Sequence, residues 1–250
     1  MIKLLLLGGT TEAIALANHL KEIDISATVS LAGRTANPAK IPLPTRIGGF
    51  GGVNGLVHYL ATQQITHVVD ATHPFAAQIS RHAIAACRQV HIPLVALTRP
   101  PWSAAANDQW TRIPSYEAAA KLLAGPARRV FLAIGRTNLN KFSEHQQHHY
   151  LLRFSEQPSA LPPFRDCQVL IARGPFSQAT DITLLREHRI DLIVAKNSGG
   201  TGAQSKILAA RDLKIPIIMI DRPQIEERPQ TYNLQAVIHW LFLNPTDLGV

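Results

Sequence analysis

The sequence contains too few cysteines for a small secreted scaffold. Its 250 residues include two, Cys87 and Cys167, and they form no Cys-x-x-Cys pair. This count excludes a framework of disulfide bonds and a cysteine-based zinc site, and it favours a reducing compartment. Because apolar residues make up 46% of the chain, we expect a sizeable hydrophobic core instead.

Long hydrophobic runs are also missing. The apolar run near the start ends at Gly8 and Gly9 and is followed by polar residues, so it is too short for the hydrophobic region of a signal peptide. No other stretch approaches the roughly 18 apolar residues that a membrane-spanning helix needs. We therefore expect a cytoplasmic protein without a membrane partner.

Acidic residues are scarce. The chain has 17 Asp and Glu against 25 Lys and Arg, which gives a net charge of +8 and an isoelectric point near 9.9. A domain this basic is expected to meet an anion: nucleic acid, acidic lipid or a polyanionic small molecule. The sequence has no helix-turn-helix, zinc-finger or RNP-type pattern, so we expect no nucleic-acid partner.

Recognisable metal and nucleophile motifs are absent as well. His145, His148 and His149 lie in a polar stretch without His-Glu-x-x-His spacing or a nearby cysteine. We expect a solvated loop there and no protein-bound metal. No Gly-x-Ser-x-Gly, Walker A or cysteine-nucleophile signature occurs either.

The chain does contain a regular alternation of short apolar runs and segments of helical period. This alternation predicts a parallel sheet covered by helices on both faces. In the first part, the predicted strands are residues 3–7, 28–32, 45–47, 67–71 and 93–97, and the helices lie near residues 10–21, 53–60 and 75–88. In the second part, strands are predicted at residues 130–134, 150–153, 169–172, 192–195 and 217–220, and helices near residues 117–124, 177–188, 202–210 and 232–243.

A proline-rich stretch around residues 99–114 interrupts this rhythm and predicts a linker. Residues 92–100 resemble residues 215–223, and each segment would be the fifth strand of its half. Internal duplication and the common pattern of a buried strand explain this equally well. We predict two Rossmann/flavodoxin-like α/β lobes, each with a mainly parallel five-stranded sheet, facing a cleft. The predicted boundaries are residues 1–100, a linker at 101–114 and residues 115–250.

The turn after the first strand is a candidate phosphate site. It matches Gly-x-Gly-x-x-Gly/Ala in part, with Gly8 and Ala13 at the first and last positions and Thr10 in place of the middle glycine. In a doubly wound fold this turn brings backbone N–H groups and a helix N-terminus to a phosphate, although a Gly-Gly turn with a threonine cap also begins ordinary helices. The candidate residues are Gly8, Gly9, Thr10, Thr11 and Glu12.

The end of the second strand favours NADPH over NADH. No acid stands there to hold a ribose 2′-hydroxyl, whereas Arg34 offers a planar cation for a 2′-phosphate. We take Arg34 and Thr35 as cofactor residues. Gly49 and Phe50, in the Gly-Gly-Phe-Gly-Gly segment after the third strand, are either a close ligand platform or a mobile turn.

The fourth strand ends in Asp70-Ala71-Thr72-His73-Pro74, at the sheet edge where open α/β folds bind ligands. Asp70 and His73 could position a substrate or move a proton, with Thr72 near the cofactor. A helix cap and a surface histidine are an equally good reading.

Cations follow the predicted strands of the second half. Together they indicate a site for a multiply charged anion, with the glycine-rich segment after residue 197 as a further anion loop. The candidate substrate residues are Arg136, Arg153, Arg173, Lys196, Asn197, Ser198, Gly199 and Arg222.

These segments resemble the precorrin-6A reductase family of cobalamin biosynthesis, which includes cobalt-precorrin-6A reductases. The similarity runs in order along nearly the whole chain. Its most specific strings are Asp-Ala-Thr-His-Pro-Phe-Ala at residues 70–76 and Lys-Asn-Ser-Gly-Gly at residues 196–200. The other matching segments are residues 7–13, 33–35, 48–52, 99–102, 133–136 and 173–176.

The resemblance implies NADPH-dependent reduction of a double bond in precorrin-6A, which gives precorrin-6B. It implies direct hydride transfer without a flavin, with NADPH in the first lobe and the tetrapyrrole carboxylates on the basic second lobe. Transient contact with neighbouring corrin-pathway enzymes is also expected. Two alternatives remain open: an NADP-dependent reductase of another acidic metabolite, and a non-catalytic two-lobed protein that binds an anion or tetrapyrrole. Whether the macrocycle carries cobalt is left open too.

Overall fold

The computed structural model describes residues 1–33 and 40–243. It divides the chain into two compact units, one formed by Met1–Arg99 with Gln224–Val250 and the other by Pro100–Pro223. The second lobe was expected to run from residue 115 to residue 250. The chain instead returns to the first unit at residue 224, because its last strand and helix pack there.

The secondary structure follows the chain in this order. Up to residue 99 the elements are β1 (Lys3–Leu7), α1 (Thr11–Glu22), β2 (Ser26–Leu31), β3 (Thr45–Ile47), α2 (Gly52–Thr62), β4 (His67–Asp70), α3 (Ala77–Gln89) and β5 (Leu94–Leu97). From residue 100 they are β6 (Trp110–Ile113), α4 (Tyr116–Lys121), β7 (Arg129–Ala133), a 3₁₀ turn (Leu139–Phe142), β8 (His149–Phe154), β9 (Cys167–Ile171), α5 (Gln178–Glu187), β10 (Leu192–Lys196), α6 (Ser205–Leu213), β11 (Ile217–Ile220), β12 (Gln230–Thr231) and α7 (Leu234–Leu243).

Within residues 1–33, 40–99 and 224–243, the first unit has six parallel strands in the order β12-β5-β4-β1-β2-β3. This is the doubly wound Rossmann order, in which the chain reverses direction across the sheet beside β1. Leu7 at the end of β1 is level with Ser30 on β2 and with Asp70 on β4. The exits of these three strands therefore share one edge of the sheet.

The second unit has the arrangement β6-β11-β10-β7-β8-β9 and is also parallel throughout. It matches the first sheet position by position, except that its edge strand β6 comes first in the chain, whereas β12 comes last in the first unit. The predicted pair of parallel α/β lobes is confirmed, but each sheet has six strands where five were expected. The stretch read as a linker contains β6, which pairs with β11. β5 and β11, the two similar segments of sequence, occupy the same place in their sheets.

Alternation along β1 shows how the first core is built. Leu4 and Leu6 pack in one cluster with residues of α1 and α7, such as Val237, whereas Leu5 and Leu7 pack on the other face with residues of α2 and α3. All four leucines are at most 1% exposed. A parallel strand buried on both faces is apolar throughout for this reason. No helix in the described part of the chain is long and apolar enough to span a bilayer.

Candidate active site

The turn between β1 and α1 is shaped by glycine and capped by threonine. A Cβ at Gly8 would lie 3.0 Å from Cγ1 of Val29, so a side chain there would push against β2. Gly9 has φ +112°, a conformation that L-residues rarely adopt. Thr10 Oγ1 accepts a hydrogen bond from Ala13 N–H at 3.1 Å and donates one to the Ala71 carbonyl at 2.7 Å. The N-terminus of the 12-residue helix α1 thus lies at the shared strand edge.

The acid in this turn has a cation beside it. Glu12 lies in the first turn of α1, and Nη1 of Arg99 contacts its two carboxylate oxygens at 3.2 and 3.3 Å. Thr11 donates a hydrogen bond to the same carboxylate at 3.1 Å. Pairing with Arg99 offsets the repulsion that a carboxylate would exert on an anion at the helix N-terminus.

Arg46 holds the glycine-rich loop that follows β3. Its guanidinium donates hydrogen bonds to the hydroxyl of Ser30 and to two loop carbonyls, at residues 48 and 49. The guanidinium carbon lies 3.9 Å from the centroid of the Phe50 ring, which packs edge-on against Tyr59 at 5.2 Å. A Cβ at Gly55 would lie 1.7 Å from the carbonyl oxygen of Phe50, so only glycine lets the loop rest on α2.

Asp70 ends β4 and holds the loop that comes after it. Oδ1 accepts hydrogen bonds from the backbone N–H and the hydroxyl of Thr72, at 3.0 and 2.6 Å, and Oδ2 accepts one from the hydroxyl of Ser80 at 2.6 Å. Arg228, just before β12, forms a salt bridge with Oδ2. The Asp70 side chain is 1% exposed. A proton relay through this carboxylate would have to break a filled network.

His73 lies in the same loop and is partly buried. Its Nδ1 accepts a hydrogen bond from the backbone N–H of Phe75 at 3.1 Å. An accepting ring nitrogen carries no proton, so the neutral ring is protonated on Nε2. In this tautomer Nε2 is the donor atom of the ring.

Two of the predicted cofactor residues, Arg34 and Thr35, lie outside the described residues. The other predicted cofactor residues all occur at the exits of β1, β3 and β4. Their shared sheet edge is the one that binds ligands in doubly wound folds. These residues are Gly8, Gly9, Thr10, Thr11, Glu12, Gly49, Phe50 and Thr72.

In the second unit, Arg153 turns into the core. It forms a salt bridge with Asp181, whose side chain is 1% exposed, and Asp181 also accepts a hydrogen bond from the hydroxyl of Ser205 at 2.6 Å. The guanidinium lies 3.7 Å from the centroid of the Phe176 ring. This partner set stabilises the fold, in contrast to the carboxylate clamp that the strand-end position suggested.

Asn197 and Gly199 fasten the loop after β10 to the segment near residue 100. The side chain of Asn197 accepts a hydrogen bond from Trp102 N–H at 2.8 Å and donates one to the Trp102 carbonyl at 2.9 Å. A Cβ at Gly199, which has φ +70°, would lie 2.2 Å from the carbonyl oxygen of Pro100. Both residues therefore have structural roles that the sequence did not indicate.

Arg222, which follows β11, holds the same loop in place. It donates hydrogen bonds from Nε to the carbonyl of Asn197 at 3.0 Å and from Nη2 to the carbonyl of Ser198 at 2.9 Å. Much of its donor capacity is thus used to shape the loop. Ser198 itself is 8% exposed.

The remaining cations are more accessible. A Cβ at Gly135 would lie 3.9 Å from Nζ of Lys196, so Lys196 reaches the exit of β7. Arg136, next to Gly135, forms a salt bridge with Glu156 at 2.7 Å. Arg173 is exposed and donates a hydrogen bond to a backbone carbonyl at 2.9 Å. The structure therefore brings Lys196 and Arg136 to one strand exit.

Neither cysteine is suited to nucleophilic chemistry. Burial, together with the nearby charge of Asp70, raises the pKa of the Cys87 thiol to about 12. Burial and the charge of Asp166 also raise the pKa of Cys167. Both side chains are therefore protonated near neutral pH, whereas the thiolate is the reactive form of cysteine.

Sequence reasoning missed several residues of this region. Arg46, Arg99 and Arg228 all contact candidate site segments, yet none of the three was among the candidate site residues. The position of Arg46 one residue before the end of β3 was a usable signal, since cations near strand exits were considered in the second half of the chain. Arg228 gave no signal, because its partner lies far away in the sequence.

The fold and these strand exits define a class of protein. The chain is a doubly wound α/β protein with a nucleotide-type glycine turn in its first unit and accessible cations in its second. More specifically, it belongs to the precorrin-6x reductase family CbiJ/CobK, which matches residues 3–242.

Individual relatives agree with this membership. The chain is 51% identical over 241 residues to a precorrin-6A reductase of Rhodobacter capsulatus, covering 96% of each chain. It is 29% identical over 255 residues to a cobalt-precorrin-6A reductase of Priestia megaterium, covering 95% of this chain and 97% of the relative. A solved structure of CobK precorrin-6A reductase superposes with a TM-score of 0.91 at 51% identity, covering 97% of this chain and 96% of that one.

Proposed function

We propose that this protein reduces a double bond of precorrin-6A with NADPH and releases precorrin-6B. The observation that carries the proposal is the β1–α1 turn of a chain that belongs to the precorrin-6x reductase family. This turn combines a glycine-shaped backbone, an open helix N-terminus and an acid neutralised by Arg99. Such a turn suits the pyrophosphate of a dinucleotide.

The residues of the first unit fit NADPH. At Gly8 a Cβ would crowd β2, whereas a Cβ at Gly9 would meet nothing within 4 Å, so the backbone there is open to a ligand. Thr10 and the first turn of α1 would hold the pyrophosphate, and Arg34 the 2′-phosphate. When bound, NADPH supplies a hydride and needs no flavin as intermediary.

The substrate site in the second unit would use the accessible cations. Arg136, Arg173 and Lys196 are the best candidates to bind the carboxylates of a tetrapyrrole. Arg153, Asn197 and Arg222 are engaged within the fold. We therefore assign them to shaping this site.

Catalysis by this chain would rest on orientation and electrostatics. Fixing the two reacting carbons near each other replaces a costly bimolecular encounter. Asp70 and Arg228 would hold the loop that carries Thr72 and His73 in place. His73 would orient a carbonyl or carboxylate through its Nε2 proton, and the proton needed at the macrocycle would come from solvent.

The relatives favour the cobalt-free macrocycle as the substrate. Precorrin-6A reductases from four sources are 41% to 51% identical to this chain. Cobalt-precorrin-6A reductases from three sources are 26% to 29% identical. We propose that this chain prefers precorrin-6A over its cobalt form.

An anaerobic assay at the nicotinamide absorbance band tests the whole proposal. The protein is mixed with NADPH or NADH, and with precorrin-6A, cobalt-precorrin-6A or neither. We expect oxidation of NADPH only when precorrin-6A is present, with slower rates for NADH and for the cobalt substrate. Tight binding of both ligands without oxidation would favour the non-catalytic alternative, and the absence of binding would contradict the assignment.

A further inference from the structure

Arg46 stands where the adenosine half of a dinucleotide is recognised. It is the middle residue of β3 and is level with Ser30, the residue before the last in β2. In doubly wound folds the end of β2 meets the ribose of the adenosine half, and a nearby arginine there accommodates a 2′-phosphate. Arg46 therefore lies close to the expected position of the cofactor's ribose.

The guanidinium of Arg46 has donors left for a ligand. Nη1 uses its two N–H groups on the hydroxyl of Ser30 at 2.7 Å and the carbonyl of Gly48 at 3.0 Å, and Nη2 uses one on the carbonyl of Gly49 at 2.9 Å. An arginine has five N–H donors. Among the described residues, the N–H on Nε and the second N–H on Nη2 have no acceptor, and no carboxylate lies within salt-bridge distance.

The neighbours of Arg46 also fix its orientation. The guanidinium lies 3.9 Å from the centroid of the Phe50 ring and 5.3 Å from that of Tyr59. Three hydrogen bonds and an aromatic stack hold the cation before any ligand arrives. A ligand that binds such a preorganised group loses less free energy to side-chain ordering. Neutral carbonyls and a hydroxyl hold the group without cancelling its charge.

We propose that Arg46 is a specificity-determining residue for the cofactor, and that it binds the 2′-phosphate of NADPH through Nε and Nη2. A phosphomonoester offers two oxygens to this fork, which a ribose hydroxyl cannot do. The inference rests on the proposed function, and it adds a second cation to Arg34. It also gives Phe50 a role as the support of Arg46.

Two nucleotide fragments test this inference without turnover. Isothermal titration calorimetry measures binding of 2′,5′-ADP and of 5′-AMP to the full chain and to Arg46→Gln. We expect the substitution to weaken 2′,5′-ADP binding about 10- to 100-fold, the range for charge-assisted hydrogen bonds, and to leave 5′-AMP binding nearly unchanged. Arg46→Lys keeps the charge without the fork, so we expect an intermediate loss.

The matched control is Arg88→Gln, which removes an arginine of the same unit that is 69% exposed and paired with Glu226. It should bind both fragments as the wild type does. Equal weakening of both fragments by Arg46→Gln, or no weakening, would overturn the inference, because Arg46 would then only hold the loop. If Arg46→Gln fails to fold, a selective loss of 2′,5′-ADP binding in Arg46→Lys decides the question. A wild-type protein that binds both fragments equally would instead contradict the NADPH proposal itself.

Discussion

The two sheets match position by position, with β1 and β7 in the same place, and they differ at the exits of these two strands. In the first unit, β1 leads through a glycine turn into the 12-residue helix α1. In the second, β7 leads through Gly135 and Arg136 into a 3₁₀ turn of four residues. A long helix presents backbone N–H groups and a dipole to an anion. A 3₁₀ turn of four residues provides very little of either.

The exits of β4 and β10, which occupy the same place in their sheets, differ in the same sense. β4 ends in Asp70, a buried carboxylate paired with Arg228, and β10 ends in Lys196. One fold can therefore present backbone donors at the strand exits of one unit and side-chain cations at those of the other. The difference between the units lies in the residues that follow the strands.

The largest expected effect comes from the buried salt bridges, one in each unit. Arg228→Met and Arg153→Met each leave a carboxylate buried without its cation. We expect each to lower the free energy of unfolding by about 3–5 kcal/mol, as measured by urea denaturation. Hydrogen exchange should show faster opening mainly in the unit that carries the substitution. The exposed Arg88→Gln control should stay within about 0.5 kcal/mol of the wild type. Equal opening of both units would contradict a local role for each salt bridge.

The buried Cys87 thiol in the first unit makes the free energy of unfolding depend on pH. Because burial raises the pKa of Cys87 to about 12, the unfolded chain loses this proton at lower pH than the folded protein does. The resulting stabilisation is fully present below about pH 9 and falls above it by up to about 1.4 kcal/mol per pH unit. Urea denaturation at about pH 8 and about pH 10 should show this loss in the wild type and a smaller loss in Cys87→Ala. The same pH dependence in the wild type and in Cys87→Ala would contradict the raised pKa of Cys87.

Helix caps provide a finer comparison. Thr10 caps α1 in the first unit and Ser115 caps α4 in the second, each accepting a backbone hydrogen bond at 3.1 Å. Replacing either by alanine should cost about 1 kcal/mol of stability. Only Thr10→Ala should also weaken NADPH binding, measured by fluorescence titration. Equal effects on NADPH binding would remove the reason for placing the cofactor in the first unit.

The smallest expected effect concerns an exposed cation of the second unit. Arg173→Gln should raise the KM for precorrin-6A by up to about fivefold, since exposed ion pairs contribute about 0.2–1 kcal/mol. The dissociation constant of NADPH and the free energy of unfolding should not change. Steady-state kinetics at low and high salt measure the effect, which should shrink as salt screens the charge. A change in NADPH binding would argue against separate sites.

Local sequence patterns were sufficient for most of the fold. Strands such as β1, β10 and β11 contain four consecutive apolar residues that are buried in the sheet, which produces a clear signal. β6 was missed because its middle residues, Thr111 and Arg112, are polar and exposed, and β12 because it has only two residues. Their partners β11 and β5 lie more than a hundred residues away in the chain. The domain boundaries therefore depend on long-range strand pairing, which a local sequence pattern does not show.

The candidate site was predictable only in part. The β1–α1 turn follows from its place after the first strand and from its glycines. For Arg153 and Arg222, the sequence shows a cation after a strand but not whether its side chain points inward. A buried carboxylate, Asp181, and two loop carbonyls decide that question. Arg46 and Arg228 depend equally on neighbours that folding brings near.

The return of the chain to the first unit has a consequence for the order of synthesis. Because the ribosome makes the chain from its N-terminus, residues 1–99 emerge before β12, α7 and Arg228 exist. The first sheet then lacks its edge strand, and Asp70 lacks its cation. The second unit, in contrast, has all of its strands once residue 223 has left the ribosome. The unit that begins first is thus the one completed last, and a nascent chain cannot form the finished Asp70 loop before its C-terminal segment is made.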